Sequence, residues 1–214
     1  MSHDENLRQP QKIEMYERMA HDLNNLLSAI IGFCYLLKKQ TSQNVAAQDT
    51  LEELLKAATK AVEVAQGCMT IRARQESNGL PVTVDTKMPS IHNPETILFA
   101  EDNSDVRRIL KSILEDNGYK VIEAVNGTDA VRLFLENEDE IQIVLLDIIM
   151  PGKGGGEVYE EIKKVNPMTK ILFISGYTGD GLLKNKIAEE GLNYISKPVE
   201  PDELLIKIRD VLDK

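Results

Sequence analysis

"AHDLNNLLSAIIGF" at 20–33 sets a histidine, an acid and two asparagines into an apolar helical run, and His21 raises the first chemical question. An imidazole of ordinary pKa, about 6.5, is largely neutral and nucleophilic near pH 7, so His21 is a core residue, a metal ligand or a reactive group. The metal reading is weak, because positions i+3 and i+4 hold Asn24 and Asn25 rather than His, Cys or Glu. A second constellation lies downstream: Glu101 and Asp102, then Asp147, Ser175 and Lys197. Three carboxylates gathered in one crevice repel unless a divalent cation neutralises them, and all-oxygen ligands suit Mg²⁺. A lysine, a hydroxyl and Mg²⁺ around one carboxylate form a site for phosphoryl transfer, where positioning and charge neutralisation supply most of the catalysis.

The elements that must hold these residues follow from hydrophobic period. Tyr16, Met19, Leu23, Leu26, Ile30, Phe33 and Leu37 recur at three- and four-residue spacing, as do Leu51, Leu55, Ala58, Val62, Ala65 and Met69. This predicts two long helices joined at the polar break "KKQTSQNVAAQ". Two helices cannot enclose a core, so the simplest cover for both seams is a dimer making a four-helix bundle. With Tyr16 at heptad position a, His21 falls at f, and Asn25 and Ser28 continue the same outward stripe, which predicts a solvent-facing histidine. Residues 77–94, "SNGLPVTVDTKMPSIHNP", read as a linker with one short extended piece at 82–84. His92 lies within it and has no assigned role.

From Glu95 the pattern changes. "TILFA" (96–100), "KVIEA" (120–124), "IQIVLL" (141–146), "KILFIS" (170–175) and "NYIS" (193–196) read as strands, each followed by an amphipathic segment. The expected fold is therefore multidomain: an all-α hairpin at 1–76, the linker, and at 95–214 an α/β doubly wound, five-stranded parallel sheet. In such sheets chemistry sits beyond the carboxyl ends of the strands, which is where Glu101, Asp102, Asp147, Ser175 and Lys197 fall.

Composition narrows the function classes. Of 214 residues 42% are hydrophobic and 28% charged, and no apolar run approaches the roughly 20 residues of a membrane span. The start "MSHDENLRQP" lacks a signal-peptide pattern, so a cytoplasmic protein without a membrane partner is expected. The net charge of −10 is concentrated after residue 94, where 24 acids face 15 bases, against 11 and 10 before it. That balance argues against nucleic acid, which rewards clustered Lys and Arg. Cys34 and Cys68 both sit in helical patterns and read as buried thiols rather than a disulfide or metal pair. "PGKGGGEV" is not a Walker loop, since Lys153 is followed by Gly154 rather than Ser or Thr.

His21-Asp22-Leu23-Asn24-Asn25-Leu26-Leu27 resembles the phosphorylation-site helix of sensor histidine kinases, in their dimerisation and histidine-phosphotransfer domain. The resemblance implies that His21 accepts a phosphoryl group, that Asp22 orients and polarises its ring, and that Asp22 and Asn25 help place a water for dephosphorylating a partner aspartate. Residues 95–214 resemble the receiver domain of response regulators through Glu101–Asp102, "LLDIIMPGKGG", "ILFISGY" and "NYISKPVEPDEL". This implies a flavodoxin-like fold in which Asp147 is the phosphoacceptor. Glu101, Asp102, Asp147 and the Ile149 carbonyl would bind Mg²⁺, and Lys197 and Ser175 would hold phosphoryl oxygens. Tyr194 takes the switch-aromatic position.

Hybrid sensor kinases carry an ATP-binding domain between two such parts, and eighteen linker residues cannot fold one. The chain is therefore not expected to phosphorylate His21 from ATP by itself. The leading expectation is a dimeric, Mg²⁺-dependent phosphorelay protein that passes the phosphoryl group between His21 and Asp147 and exchanges it with separate sensor kinases or regulators. The linker, at roughly 3.3 Å per residue, spans about 60 Å extended, which permits transfer within one chain. Two alternatives are a non-catalytic receiver switch that docks on a kinase through the hairpin, and a phosphoaspartate phosphatase using Asp22 and Asn25.

Overall fold

The computed structural model describes residues 9–41, 44–70, 94–176 and 191–214, and in the hairpin the side chains of 18–41, 44 and 47–61. The linker at 77–94 lies almost wholly outside the described residues, as do the segment at 177–190 and the side chains of Tyr16, Val62, Ala65, Cys68 and Met69. Helix α1 spans Gln9–Gln40 and α2 spans Val45–Thr70. The break between them is shorter than the polar stretch suggested, because Lys, Gln and Ala are good helix formers and both helices run into it. Among the described residues no helix is long and apolar enough to cross a membrane.

The second unit alternates strand and helix: β1 (Thr96–Ala100), α3 (Ser104–Asp116), β2 (Lys120–Ala124), α4 (Gly127–Glu136), β3 (Ile141–Asp147), α5 (Gly155–Val165), β4 (Lys170–Ser175), β5 (Asn193–Ser196) and α6 (Pro201–Leu212). All pairings are parallel, in the order β2-β1-β3-β4-β5. The five expected strands are all present, β3 one residue longer. Every residue of β1 is buried, and only Gln142 of β3 is exposed, as expected where helices cover both faces. Successive side chains alternate between two cores. Ile97, Phe99, Ile143 and Leu145 pack with Ile109, Ile113, Leu204 and Ile208 of α3 and α6. Leu98, Val144, Leu146 and Phe173 pack with Ala130, Phe134, Val158 and Ile162 of α4 and α5. The chain leaves β1 outward to β2 and returns to β3 on the other side, so the crevice beyond β1 and β3 is the topological switch point.

Helix α1 packs on α2 and on the α3 and α6 face of the sheet unit. Its heptad phase divides it as expected, but the stripe expected to face solvent is covered. Met19, Leu23, Leu26, Ile30, Phe33 and Leu37, the expected seam, are exposed, whereas Asn24, Asn25 and Ser28 are buried and His21 is half-buried. The expectation of a solvent-facing His21 stripe is corrected: the sheet unit covers that face. Residues between the stripes, Ala20, Leu27, Ile31 and Cys34, are buried with Leu51 and Ala58 of α2. Cys34 is a free thiol whose pKa is pushed up by burial, in line with an inert core role.

Gly127, the first residue of α4, supports the loop after β3. A Cβ there would lie 2.0 Å from the Lys153 carbonyl oxygen. Gly127→Val should therefore lower stability by about 1–3 kcal/mol, the usual cost of overpacking, measured by urea unfolding.

Candidate functional site

Each site residue sits where a strand hands over to a loop. Glu101 and Asp102 follow β1, Asp147 ends β3, Ser175 ends β4 and Lys197 follows β5. Asn103 caps α3 by accepting from the amides of Asp105 and Val106, and its own amide donates to Glu101 Oε1 at 3.2 Å, so one short turn both starts the helix and aims the carboxylate.

Lys197 organises the crevice. Its ammonium is fully buried and donates to Asp147 Oδ2 at 2.7 Å, Asn25 Oδ1 at 2.8 Å and Glu101 Oε2 at 2.9 Å. An ammonium has three donors and no acceptor, so these three oxygens satisfy it completely. Burial pushes the Glu101 carboxyl up to about 7, repulsion from Asp147 adds to the rise, and Lys197 opposes it. Burial acts to lower the Lys197 pKa, but Asp147 and Glu101 outweigh it and hold the ammonium above its ordinary range.

Asn25 extends the network onto the hairpin. Because Lys197 can only donate, Oδ1 of Asn25 faces it and the amide Nδ2 faces His21 Nε2 at 3.0 Å, so that nitrogen presents its lone pair. A ring nitrogen of His21 and carboxylate oxygens of Asp102 and Asp147 all lie within 4.8 Å of one another. Asp22 is exposed, and the neighbour that orients the ring is Asn25, one helical turn on. Ser175 is buried with its hydroxyl donating to the Gly176 carbonyl at 3.0 Å. Tyr194 is 49% exposed on β5. The Ile149 amide approaches Asp147 Oδ1 at 3.3 Å.

The donor set fits a hard divalent cation. Asp102 Oδ1 is buried without a hydrogen-bond partner, and it adjoins two further carboxylates that share a single ammonium. One contributor, Arg107, was not singled out from sequence, and another, Ser28, was placed on the outward stripe without a contact. Arg107 donates to the backbone carbonyls of Glu101 (2.7 Å) and Asp102 (3.2 Å), pinning the loop that bears both acids. Ser28 accepts from the Val199 amide at 3.2 Å beside Lys197. Arg107 lies only five and six residues from the carbonyls it holds, whereas Ser28 meets a residue that only the fold brings near.

The family model of the response regulator receiver domain matches residues 97–209. Sensor kinase CckA of Brucella abortus is 30% identical over 60% of this chain, a stretch that covers 14% of CckA. A cyclic di-GMP phosphodiesterase of Thermotoga maritima is 32% identical over 55% of this chain and 31% of its own length. Response regulator receiver protein CpdR of Brucella abortus is 34% identical over 54% of this chain and 95% of its own length. Among solved structures, a receiver domain protein of Clostridium thermocellum superposes with a TM-score of 0.51 at 33% identity, covering 56% of this chain and 94% of that one. The CheX–CheY–BeF3–Mg²⁺ complex of Borrelia burgdorferi gives 0.52 at 26% identity, over 57% and 92%.

Two predictions follow from the charges. Glu101 is protonated more readily in the folded chain than unfolded, so its contribution to stability is full below about 4.5 and is lost as pH rises through about 7. In chelator-treated protein, Glu101→Gln should flatten that fall in urea titrations across pH 5–8. Lys197→Met leaves two buried carboxylates without their counter-charge and should cost about 3–5 kcal/mol at pH 7.5, with the deficit shrinking on acidification.

Proposed function

Because this chain belongs to the response regulator receiver domain family, we propose that it serves two-component signalling as a phosphorelay protein, exchanging a phosphoryl group between His21 and Asp147. The observation that carries this reading is the approach of a His21 ring nitrogen to carboxylate oxygens of Asp147 and Asp102, all within 4.8 Å. One phosphoryl group is within reach of both acceptors, which makes transfer a matter of position rather than encounter.

In the forward step an Asp147 oxygen attacks phosphohistidine. A P–O bond forms as the P–N bond breaks, the electron pair returns to the ring nitrogen, and the proton carried on the other ring nitrogen lets the ring leave as neutral imidazole. Lys197 turns its ammonium to a phosphoryl oxygen, the Ser175 hydroxyl donates to another, and Tyr194 follows Ser175 inward as the switch. Asn25 holds the imidazole. Glu101, Asp102, Asp147 and the Ile149 carbonyl would hold Mg²⁺, which supplies charge neutralisation for the phosphoryl oxygens when bound. The hairpin (1–76) and the receiver (95–214) act as two domains joined by the linker at 77–94, and separate sensor kinases or regulators load and unload them. The exposed stripe from Met19 to Leu37 supports a homodimer through a four-helix bundle.

Incubation with acetyl phosphate and Mg²⁺ should label Asp147 and, at equilibrium, His21. Asp147→Asn should abolish labelling, and His21→Ala should leave label on Asp147 alone. Absence of label from Asp147, or from His21 in any combination, would overturn the relay. A second reading, a phosphoaspartate phosphatase, is favoured by Asn25 lying at the Lys197 ammonium beside Asp147. It requires Asn25→Ala to slow the loss of label from Asp147 about tenfold or more while His21→Ala does not. Leu26→Glu with Ile30→Glu should convert a dimer to monomer in sedimentation without loss of helix.

A further inference from the structure

One line of contacts runs down α1 to its own receiver. Asn25 takes the third donor of Lys197, and Ser28 Oγ accepts the Val199 amide while donating to the Asn24 carbonyl at 2.8 Å. One turn further, Gly32 lies so close to α3 that a Cβ would stand 2.3 Å from Ile109 Cγ2. Ala29, Tyr35 and Leu36 pack on the core beneath α3 and α6, and Lys39 pairs with Asp116 at 3.3 Å. Glycine is a poor residue for a helix interior, and here its lack of a side chain is what admits the neighbouring helix. The contacts are specific in kind: a buried ammonium, a buried amide and a glycine-sized gap each match one residue of α1.

We propose that Gly32 and Ser28 key α1 to its own receiver, so that the His21 face of the hairpin and the α3 face of the receiver occupy one another within one chain, and a second copy's phosphohistidine helix is admitted only when α1 lifts away. The docked face is opposite the exposed stripe from Met19 to Leu37, so self-docking and pairing of hairpins use different sides of the same helix. The docking itself stands on contacts alone. Its consequence for phosphoryl flow rests on the relay reading above.

The test uses full-length chains and separates the two. Docking is read by hydrogen exchange at the Val199 amide. Gly32→Leu, which favours helix but closes the gap, should speed that exchange about tenfold or more, the scale of a lost buried hydrogen bond. Gly32→Ala should do so less, and adding Ile109→Ala, which removes the atom in the way, should restore protection. Val199 protected as in the wild type in Gly32→Leu, or no rescue by Ile109→Ala, would overturn the proposal. Transfer is then read by mixing a second copy, Asp147→Asn, phosphorylated on His21 with phosphoramidate, with acceptor chains carrying His21→Ala. Acceptors that also carry Gly32→Leu should take label about tenfold faster. An unchanged rate despite a freed Val199 would overturn the exclusion. A freed Val199 with no label reaching Asp147 in any acceptor would support the docking and overturn the relay.

Discussion

A single buried ammonium holds this molecule's parts in relation. Removing a charged group from water costs several kcal/mol unless its partners are well placed, and Lys197 meets that cost with three oxygens drawn from positions 25, 101 and 147. Those positions belong to the first helix and to the ends of two central strands, while Lys197 follows the fifth. One side chain thus sets the distance between the carboxylate crevice and the histidine helix. Burial and the neighbouring Asp147 leave Glu101 easily protonated despite Lys197, and Asp102 Oδ1 has no partner, a combination suited to a divalent cation.

The sheet makes that meeting possible. Because β1 and β3 are neighbours but connect to opposite sides, their carboxyl ends open onto a crevice at the topological switch point. Two cores of alternating residues make the strands rigid, and the turn capped by Asn103 and clamped by Arg107 transmits that rigidity to the acids. The acids of the site therefore sit at the ends of buried strands, while Tyr194 is half exposed on β5.

Helix α1 has two working faces. Its polar stripe is consumed by the receiver, and its large apolar residues, Leu26 at 62% exposed and Met19 at 60%, remain outside. On α1, Asn25 and Ser28 are buried with matched partners, while the residues that gain most from burial stay uncovered. That distribution is the physical basis for reading the exposed stripe as a place for a second hairpin.

The five strands were legible from residues because a parallel strand covered on both faces is a short continuous apolar run, as in "TILFA" and "KILFIS". Strand ends in turn located Glu101, Asp102, Asp147, Ser175 and Lys197. Period also determined which residues of α1 share a face. What period leaves open is what lies against each face, because a helix repeat records relative phase and carries no information about a neighbour a hundred residues away. Asn25 and Ser28 looked like a solvated stripe, and only the folded receiver makes them interior, by bringing the Lys197 ammonium and the Val199 amide to meet them. Gly32 likewise has no meaning until Ile109 stands over it. The sequence by itself determined the chemistry available and the strand ends that carry it; tertiary structure decided which histidine face meets which carboxylate, since that depends on long-range packing and not on any local pattern.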